Sequence, residues 1–256
     1  MPICGACNHR FTCLVEPLLD TKFYLQFQSA IRNEYSVDVG DYIFKQGTDS
    51  GSLYLLKSGS IKMVMAMPNG VEKVLGFAHS WRLTGAAAAC SSFHVYSAIA
   101  LEKVRVCELD YQKVSDIMFL CPDFHKKFLA LVMDQMIVDT QFEALIASGS
   151  VERRTASFLY SQVLHRQKNG LSSSNINLSM PRSDISQFLS VSVESLSRGL
   201  SSLVKKRVID VHNRQVSIID IVQLKAIAEG VDEEDYSIDK RMSSVLDLPQ
   251  VEMFSK

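Results

Sequence analysis

"RSDISQFLSVSVESLSRGLSSLVKK", residues 182–206, places apolar side chains at Ile185, Leu189, Val191, Val193, Leu196 and Leu200, a spacing that suits two short helices broken at Ser190-Val191-Ser192. Ser192 stands where a side-chain oxygen accepts from the first free N–H groups of the second helix, so it is expected to cap it. Two helices joined by so short a turn make a helix-turn-helix, whose second helix enters the major groove of duplex DNA. On that helix Glu194, Ser197 and Arg198 lie at i, i+3 and i+4 and share one face near its start. An arginine there donates to both acceptors of guanine, a glutamate accepts from the cytosine amino group, and a serine reaches a base edge or a phosphate. The other reading of the pattern is a small helical packing domain in which Glu194 and Arg198 form a surface ion pair.

The flanking sequence favours DNA. Lys205-Lys206-Arg207 precedes "VIDVHNRQVSII", residues 208–219, which reads as strand, turn and strand: a wing with a basic triplet beside the phosphates. Residues 151–216 hold ten Lys and Arg against four Asp and Glu, a surplus of six positive charges in a chain whose net charge is -1. Beyond the wing, Asp232-Glu233-Glu234-Asp235 opens an acidic tail that reads as solvated. Upstream, no glycine occurs from Pro122 to Ala147, and Leu129, Val132, Met136 and Ile146 fall on one stripe, which predicts a long helix. Asp139 and Glu143 lie on that stripe too. A further helix is predicted from Val151 through "RRTASFLYSQVLHR", residues 153–166.

Residues 37–111 differ in kind. Runs such as "SLYLLK" (52–57), "IKMVMAM" (61–67) and "VEKVLGF" (71–77) are separated by Gly40-Asp41, Gly47, Ser58-Gly59-Ser60 and Asn69-Gly70, the punctuation of a β-sandwich or jelly-roll barrel. With 256 residues, 47% of them apolar, the chain can bury a full core. No basic leader followed by an apolar run opens the sequence, and the run from Gly85 to Cys90 is too short to span a bilayer, so no membrane partner and a cytoplasmic location are expected.

A reducing cytosol does not explain clustered cysteines by disulfides. Cys4, Cys7 and Cys13 form C-x2-C-x5-C within "ICGACNHRFTC", residues 3–13. Their thiolates suit structural zinc and an iron-sulfur group equally, and the residues alone leave the metal open. A C-x-x-C redox enzyme would carry its motif at the start of a helix in a βαβ setting, whereas this one precedes an all-β unit, so no catalysis is expected. In "VRVCEL", residues 104–109, alternation puts Val104 and Val106 on one face and Arg105 and Cys107 on the other, so Cys107 need not be a core thiol. Cys90 and Cys121 read as packing residues or free thiols.

A β-rich unit, a long helix and a winged helix-turn-helix, in that order over residues 4–225, resemble the Crp/Fnr superfamily of bacterial transcription regulators. Glu194, Ser197 and Arg198 match the E-x-x-S-R of the Fnr branch, and Val193 stands where cyclic-AMP-responsive members carry Arg. The resemblance implies an α+β protein with an N-terminal β-roll sensor domain of the cyclic-nucleotide-binding type (1–120), a dimerisation helix (121–149), a winged helix-turn-helix (150–225) and a tail (226–256). Oxygen-sensing Fnr proteins carry C-x2-C-x5-C and a fourth cysteine at the end of the roll, where Cys107 stands. By that resemblance Cys4, Cys7, Cys13 and Cys107 would hold a [4Fe-4S] cluster, with zinc or no metal as the alternatives. It further implies a homodimer packed along Leu129, Val132 and Met136, with Asp139 and Glu143 each facing its own copy across the seam, TTGAT-like half-sites in double-stranded DNA, and RNA polymerase as a partner. Two departures are visible. "SWRLTGAAAACSSFHVYSA", residues 80–98, lacks the Gly-Glu and Arg-Ser or Arg-Thr pairs of the nucleotide cassette, which argues against a cyclic nucleotide. His79, Ser80, Trp81 and Arg82 stand where typical Fnr members carry the Gly-Asp of a polymerase-contacting loop.

Overall fold

The computed structural model describes Cys4, Cys7, residues 13–168 and residues 170–231. The segment between Cys7 and Cys13 and the acidic run from Asp232 lie outside the described residues. The chain divides into two compact units, residues 1–134 and 135–256.

In the first unit, helix α1 (Tyr24–Ala30) leads into strands β1 (Ile31–Val37), β2 (Tyr42–Phe44), β3 (Ser52–Ser58), β4 (Ser60–Ala66), β5 (Glu72–His79), β6 (Leu83–Thr84), β7 (Ser97–Ala100) and β8 (Val104–Asp110). They pair antiparallel in two four-stranded sheets, ordered β1-β8-β3-β6 and β2-β7-β4-β5. The turns expected from the sequence are where the strands reverse. Between β3 and β4, Gly59 adopts φ +87°, and a Cβ there would lie 2.8 Å from the Lys103 carbonyl oxygen, so both the backbone conformation and the space require glycine. Helix α2 (Tyr111–Leu120) follows β8 without a loop, its N-cap supplied by Asp110, which accepts from the Lys113 N–H. The long helix α3 (Pro122–Ser148) opens on a proline, which lacks the N–H that a first turn leaves unpaired.

Alternation along β3 and β8 feeds two separate cores. Leu56, Ile61, Val104 and Val106 fill the interior of the roll beside the stacked rings of Phe44 and Tyr54, 5.2 Å apart. Leu53, Leu55, Leu109 and Cys107 point the other way, into a second cluster with Leu14, Leu18, Phe27, Val114, Phe124 and Phe128. The sheet of β1, β8, β3 and β6 is thus buried on both faces. The alternation puts Cys107 on the face opposite Val104 and Val106, as expected, and because α1, α2, the start of α3 and residues 14–18 cover that face, the thiol is a core thiol after all. Cys121 belongs to the same cluster, whereas Cys90 is exposed.

His94 is only 2% exposed, stacks on Phe44 at 4.1 Å between ring centroids, and neither ring nitrogen finds a partner among the described residues. Burial accordingly lowers its pKa below the usual histidine value. The unfolded chain therefore takes up a proton near pH 6.5 that the folded roll refuses until lower pH, so stability is full above that value and falls as pH drops through it. Denaturant midpoints measured from pH 7.5 to 5 should decline in the parent, by up to about 1.4 kcal/mol per pH unit from this group, and His94→Phe should flatten that part of the decline.

The second unit contains α4 (Val151–Lys168), β9 (Asn175–Asn177), α5 (Arg182–Phe188), α6 (Val193–Lys205), β10 (Ile209–His212), β11 (Gln215–Ile218) and α7 (Ile221–Glu229). Helix α6 approaches α4 at Gly199, where a Cβ would lie 2.6 Å from the Thr155 Oγ1, so a side chain at this one position would force the two helices apart. The wing is a sheet ordered β10-β11-β9, one strand larger than the sequence suggested. Several arginines of the basic stretch are structural. Arg153 donates to the carbonyls of Ala228 and Glu229 at the end of α7, and Arg154 to those of Gly149 and Leu189.

Candidate metal centre and nucleic-acid interface

The cysteine cluster is assembled by a turn, a short helical segment and a strand. The Cys7 N–H donates to the Cys4 carbonyl at 3.1 Å, which keeps these two cysteines close. The Glu16 N–H donates to the Cys13 carbonyl, also at 3.1 Å, and starts a single 3-10 turn over Glu16–Leu18. Apolar Leu14, Val15 and Leu18 then anchor this segment in the cluster that contains Cys107, and Cys4 and Cys13 pack against the same cluster. Cys107 is presented by β8, with Leu55 of β3 and Glu34 of β1 directly opposite it on the two neighbouring strands.

Three of the thiols are displaced in the same direction. Burial pushes Cys4 up to about 11, with Cys13 and Cys7 adding to the rise, and pushes Cys107 up to about 12, with Cys4 and Cys13 adding. Cys13 is raised by burial too, opposed by the backbone N–H groups of Val15 and Leu14. All four are free thiols. Among the described residues no three His, Cys, Asp or Glu side chains stand close enough to share one metal ion. The same helix base that carries Phe124 and Phe128 completes the apolar wall, and Lys127 of α3 pairs with Glu16 at 3.5 Å. The segment after Cys13 and the root of α3 are therefore held in one piece.

Sequence reasoning missed the ionic group beside these thiols. Lys57 Nζ lies 2.8 Å from Glu34 Oε1, and Arg105 pairs with the same carboxylate. Burial alone would raise Glu34, but the hydrogen bonds and charges of Lys57 and Arg105 outweigh it and hold the carboxyl below its usual range. No motif announces the pair, because 23 residues separate its members and only the sheet register brings them together.

On α3 the predicted seam residues divide. Leu129, Met136, Asp139 and Glu143 are exposed, whereas Val132 packs, half-buried, against the core that holds the cysteines. Met133 and Ile137 are also exposed and extend the stripe of Leu129 and Met136 at i, i+4, i+7 and i+8, a spacing already present in the sequence. No helix among the described residues is long and apolar enough to cross a membrane.

The nucleic-acid side of the prediction assembles as a surface. Ser192 caps α6, accepting from the Ser195 N–H at 3.1 Å. Leu196, Gly199, Leu200 and Leu203 bury the opposite face, which leaves Glu194, Ser197 and Arg198 exposed together. Arg198 is steadied by a 2.9 Å hydrogen bond to Ser195 Oγ. The Glu194 backbone N–H and the Ser192 hydroxyl, with Arg198 nearby, lower the Glu194 carboxyl, so it is an acceptor throughout the neutral range. Of the basic triplet, Lys205 and Arg207 are exposed, but Lys206 is tied to Glu152 of α4 at 2.9 Å. At the wing tip Asn213 adopts φ +56°, its carbonyl held by Arg182 at 3.2 Å, and Arg214 is exposed beside it.

Comparison with known proteins places both halves. Residues 35–120 match the family model of the cyclic nucleotide-binding domain, and residues 153–227 that of the Crp-like helix-turn-helix domain. The chain is 28% identical over 231 residues to the fumarate and nitrate reduction regulatory protein of Vibrio cholerae, covering 90% of this chain and 92% of that one. It is also 28% identical over 191 residues to the transcriptional activator protein Anr of Pseudomonas protegens, covering 75% of this chain and 78% of that one. Among solved structures, FixK2 from Bradyrhizobium japonicum superposes with a TM-score of 0.67 at 18% identity, over 76% of this chain and 96% of that one. TTHB099, a CRP-family regulator of Thermus thermophilus, gives 0.62 at 18% identity, over 77% and 97%. At that identity the two structures speak for the fold alone.

Proposed function

We infer, for a chain that belongs to the Crp/Fnr superfamily of DNA-binding transcription regulators, that Cys4, Cys7, Cys13 and Cys107 hold a [4Fe-4S] cluster through which oxygen or redox state controls dimerisation and DNA binding. The observation that carries this reading is the convergence of three free thiols, Cys4 and Cys13 from the N-terminal segment and Cys107 from a sheet strand, on one apolar cluster, with the fourth, Cys7, tied to Cys4 by a backbone hydrogen bond. The donor set fits: a four-iron cluster takes one soft thiolate at each corner, so its ligands need not crowd around a single ion. Such a group, when bound, supplies a centre that oxygen converts or dismantles.

The coupling to dimerisation runs through shared packing. Phe124, Phe128 and Val132 of α3 belong to, or lean on, the cluster that holds Cys107, so ligation that draws residues 4–13 onto β8 bears on the root of the dimer helix. Exposed Leu129, Met133, Met136 and Ile137 supply the apolar stripe, and Asp139 and Glu143 bring like charges together near a two-fold axis. The free dimer is thereby marginal, and ligation tips the balance. Two copies of α6 then read a palindrome with TTGAT-like half-sites, Arg198 donating to guanine and Glu194 accepting from cytosine. RNA polymerase is the expected further partner, and the residues at 80–98 give no reason to invoke a cyclic nucleotide.

The test is protein purified without oxygen and analysed for visible absorption, iron, zinc and sulfide while air is admitted, with sedimentation and operator binding followed in parallel. A brown chromophore holding about four iron and four sulfide per chain, which bleaches in air as dimer and DNA complex are lost, is the expected result. A colourless protein with stoichiometric zinc, or one that gains no iron on anaerobic reconstitution, removes the sensor and leaves the DNA-binding assignment standing.

A further inference from the structure

We infer that Lys57, held in place by Glu34, is the positioning charge of the cysteine site, a fixed cation that offsets the negative charge of the four-thiolate group and sets its redox poise. The inference rests on the reading of Cys4, Cys7, Cys13 and Cys107 as ligands of one group.

The argument begins with register. Glu34 faces Cys107 across the β1–β8 pair and Leu55 faces it across β3–β8, so side chains of all three strands meet on the outer face of this sheet. Lys57 follows Leu55 by two residues on β3 and delivers its ammonium to Glu34 Oε1 at 2.8 Å. Its side chain is 19% exposed and that of Glu34 20%, so the pair is largely withdrawn from solvent and weakly screened. Because Glu34 is the residue directly opposite Cys107, its hydrogen bond to Lys57 holds the ammonium on the same face of the sheet as that thiol. Arg105, more exposed at 58%, shares the Glu34 carboxylate.

Four thiolates around a four-iron core leave the assembly anionic, and reduction adds a further negative charge. A neighbouring cation stabilises the anionic group and stabilises its reduced form still more, because net charge and solvent exposure set the potential of such centres. Lys57 and Glu34 therefore form an adjustable pair: the ammonium supports the site, and the carboxylate fixes where the ammonium sits while tempering its effect. The pair is not needed to satisfy Glu34, since Arg105 remains to neutralise the carboxylate if Lys57 is removed.

The experiment compares the parent with Lys57→Met, Lys57→Arg and Glu34→Gln, each full-length chain reconstituted anaerobically with iron and sulfide. Two quantities are read, the reduction potential and the rate at which a ferrous chelator strips iron without oxygen. Lys57→Met should make the reduction equilibrium about tenfold less favourable, 59 mV for one electron, and should speed iron loss about tenfold. Lys57→Arg should restore both; since methionine already keeps an unbranched apolar stem in place of the lysine's, the loss in Lys57→Met reports the charge. Glu34→Gln should move the potential the opposite way. Equal potentials and equal iron loss in Lys57→Met and the parent overturn the assignment of Lys57 while leaving the four ligands intact. A parent that takes up no iron and sulfide overturns both, because the inference has then lost its premise.

Discussion

Cys107→Ser protein is expected to emerge colourless from anaerobic reconstitution and to bind operator DNA as weakly as the metal-free parent, a loss on the order of 100-fold relative to the loaded form. The size of the effect follows from where the residue stands. Cys4, Cys7 and Cys13 lie on one segment, so removing one of them leaves its neighbours close by; Cys107 is the thiol that β8 contributes, and without it nothing joins that segment to the sheet through a ligand. A serine oxygen is a harder donor than a thiolate and does not replace it at iron. The substitution also places a hydroxyl in an apolar site, at a cost of about 1–3 kcal/mol if it finds no partner. Cys107→Ala, which carries no polar atom, separates that packing cost from loss of the ligand, and Cys90→Ser, at an exposed position, should keep the chromophore. A Cys107→Ala protein with parental iron content, colour and air sensitivity would contradict the ligand set.

The parts of this fold that could be read from sequence are those that a local pattern specifies. Helices α5 and α6 announce themselves through the apolar spacing and the Ser192 cap, and the hairpin of the wing through its basic flank and Asn213-Arg214 turn. The β-roll is legible because turns recur between β-rich runs. What escaped was decided by tertiary contact. Helix α1 is only seven residues, secured by burial of Phe27 and Ala30 rather than by a stripe. Strand β9 exists because β11 pairs with it, register Val216 to Ile176, and three residues carry no period of their own. Cys107 was placed on the correct face of β8, yet that face is buried because elements distant in sequence close over it. The count of positive charges overstated the binding face for a related reason: Arg153 and Arg154 are spent on backbone carbonyls and Lys206 on Glu152. Lys57 and Glu34 were invisible for the simplest reason, since neither belongs to a motif and only the sheet makes them neighbours of the cysteines.

Arg198→Ala should weaken recognition of the palindrome while leaving the fold intact. The side chain is exposed and, among the described residues, hydrogen-bonded to Ser195 on its own helix, so truncation should change stability by less than about 0.5 kcal/mol. Its cost appears on DNA. A bidentate contact from arginine to guanine discriminates by about 1–3 kcal/mol, and a two-fold dimer loses it twice, so affinity for a TTGAT-type palindrome should fall by between about 30-fold and about 25,000-fold. Specificity should relax at the guanine position in particular, with the other positions still read. Lys205→Ala offers the contrast, because an exposed lysine beside the duplex contacts phosphate: binding should weaken about uniformly across sequences, and the slope of log affinity against log salt should flatten by about one. Titrating both variants against the intact palindrome and against one with the guanine replaced, at two salt concentrations, separates the two roles. If Arg198→Ala discriminates the two sites as well as the parent does, α6 is not the element that reads the bases, and the exposed face of Glu194, Ser197 and Arg198 reverts to an ordinary solvated helix surface.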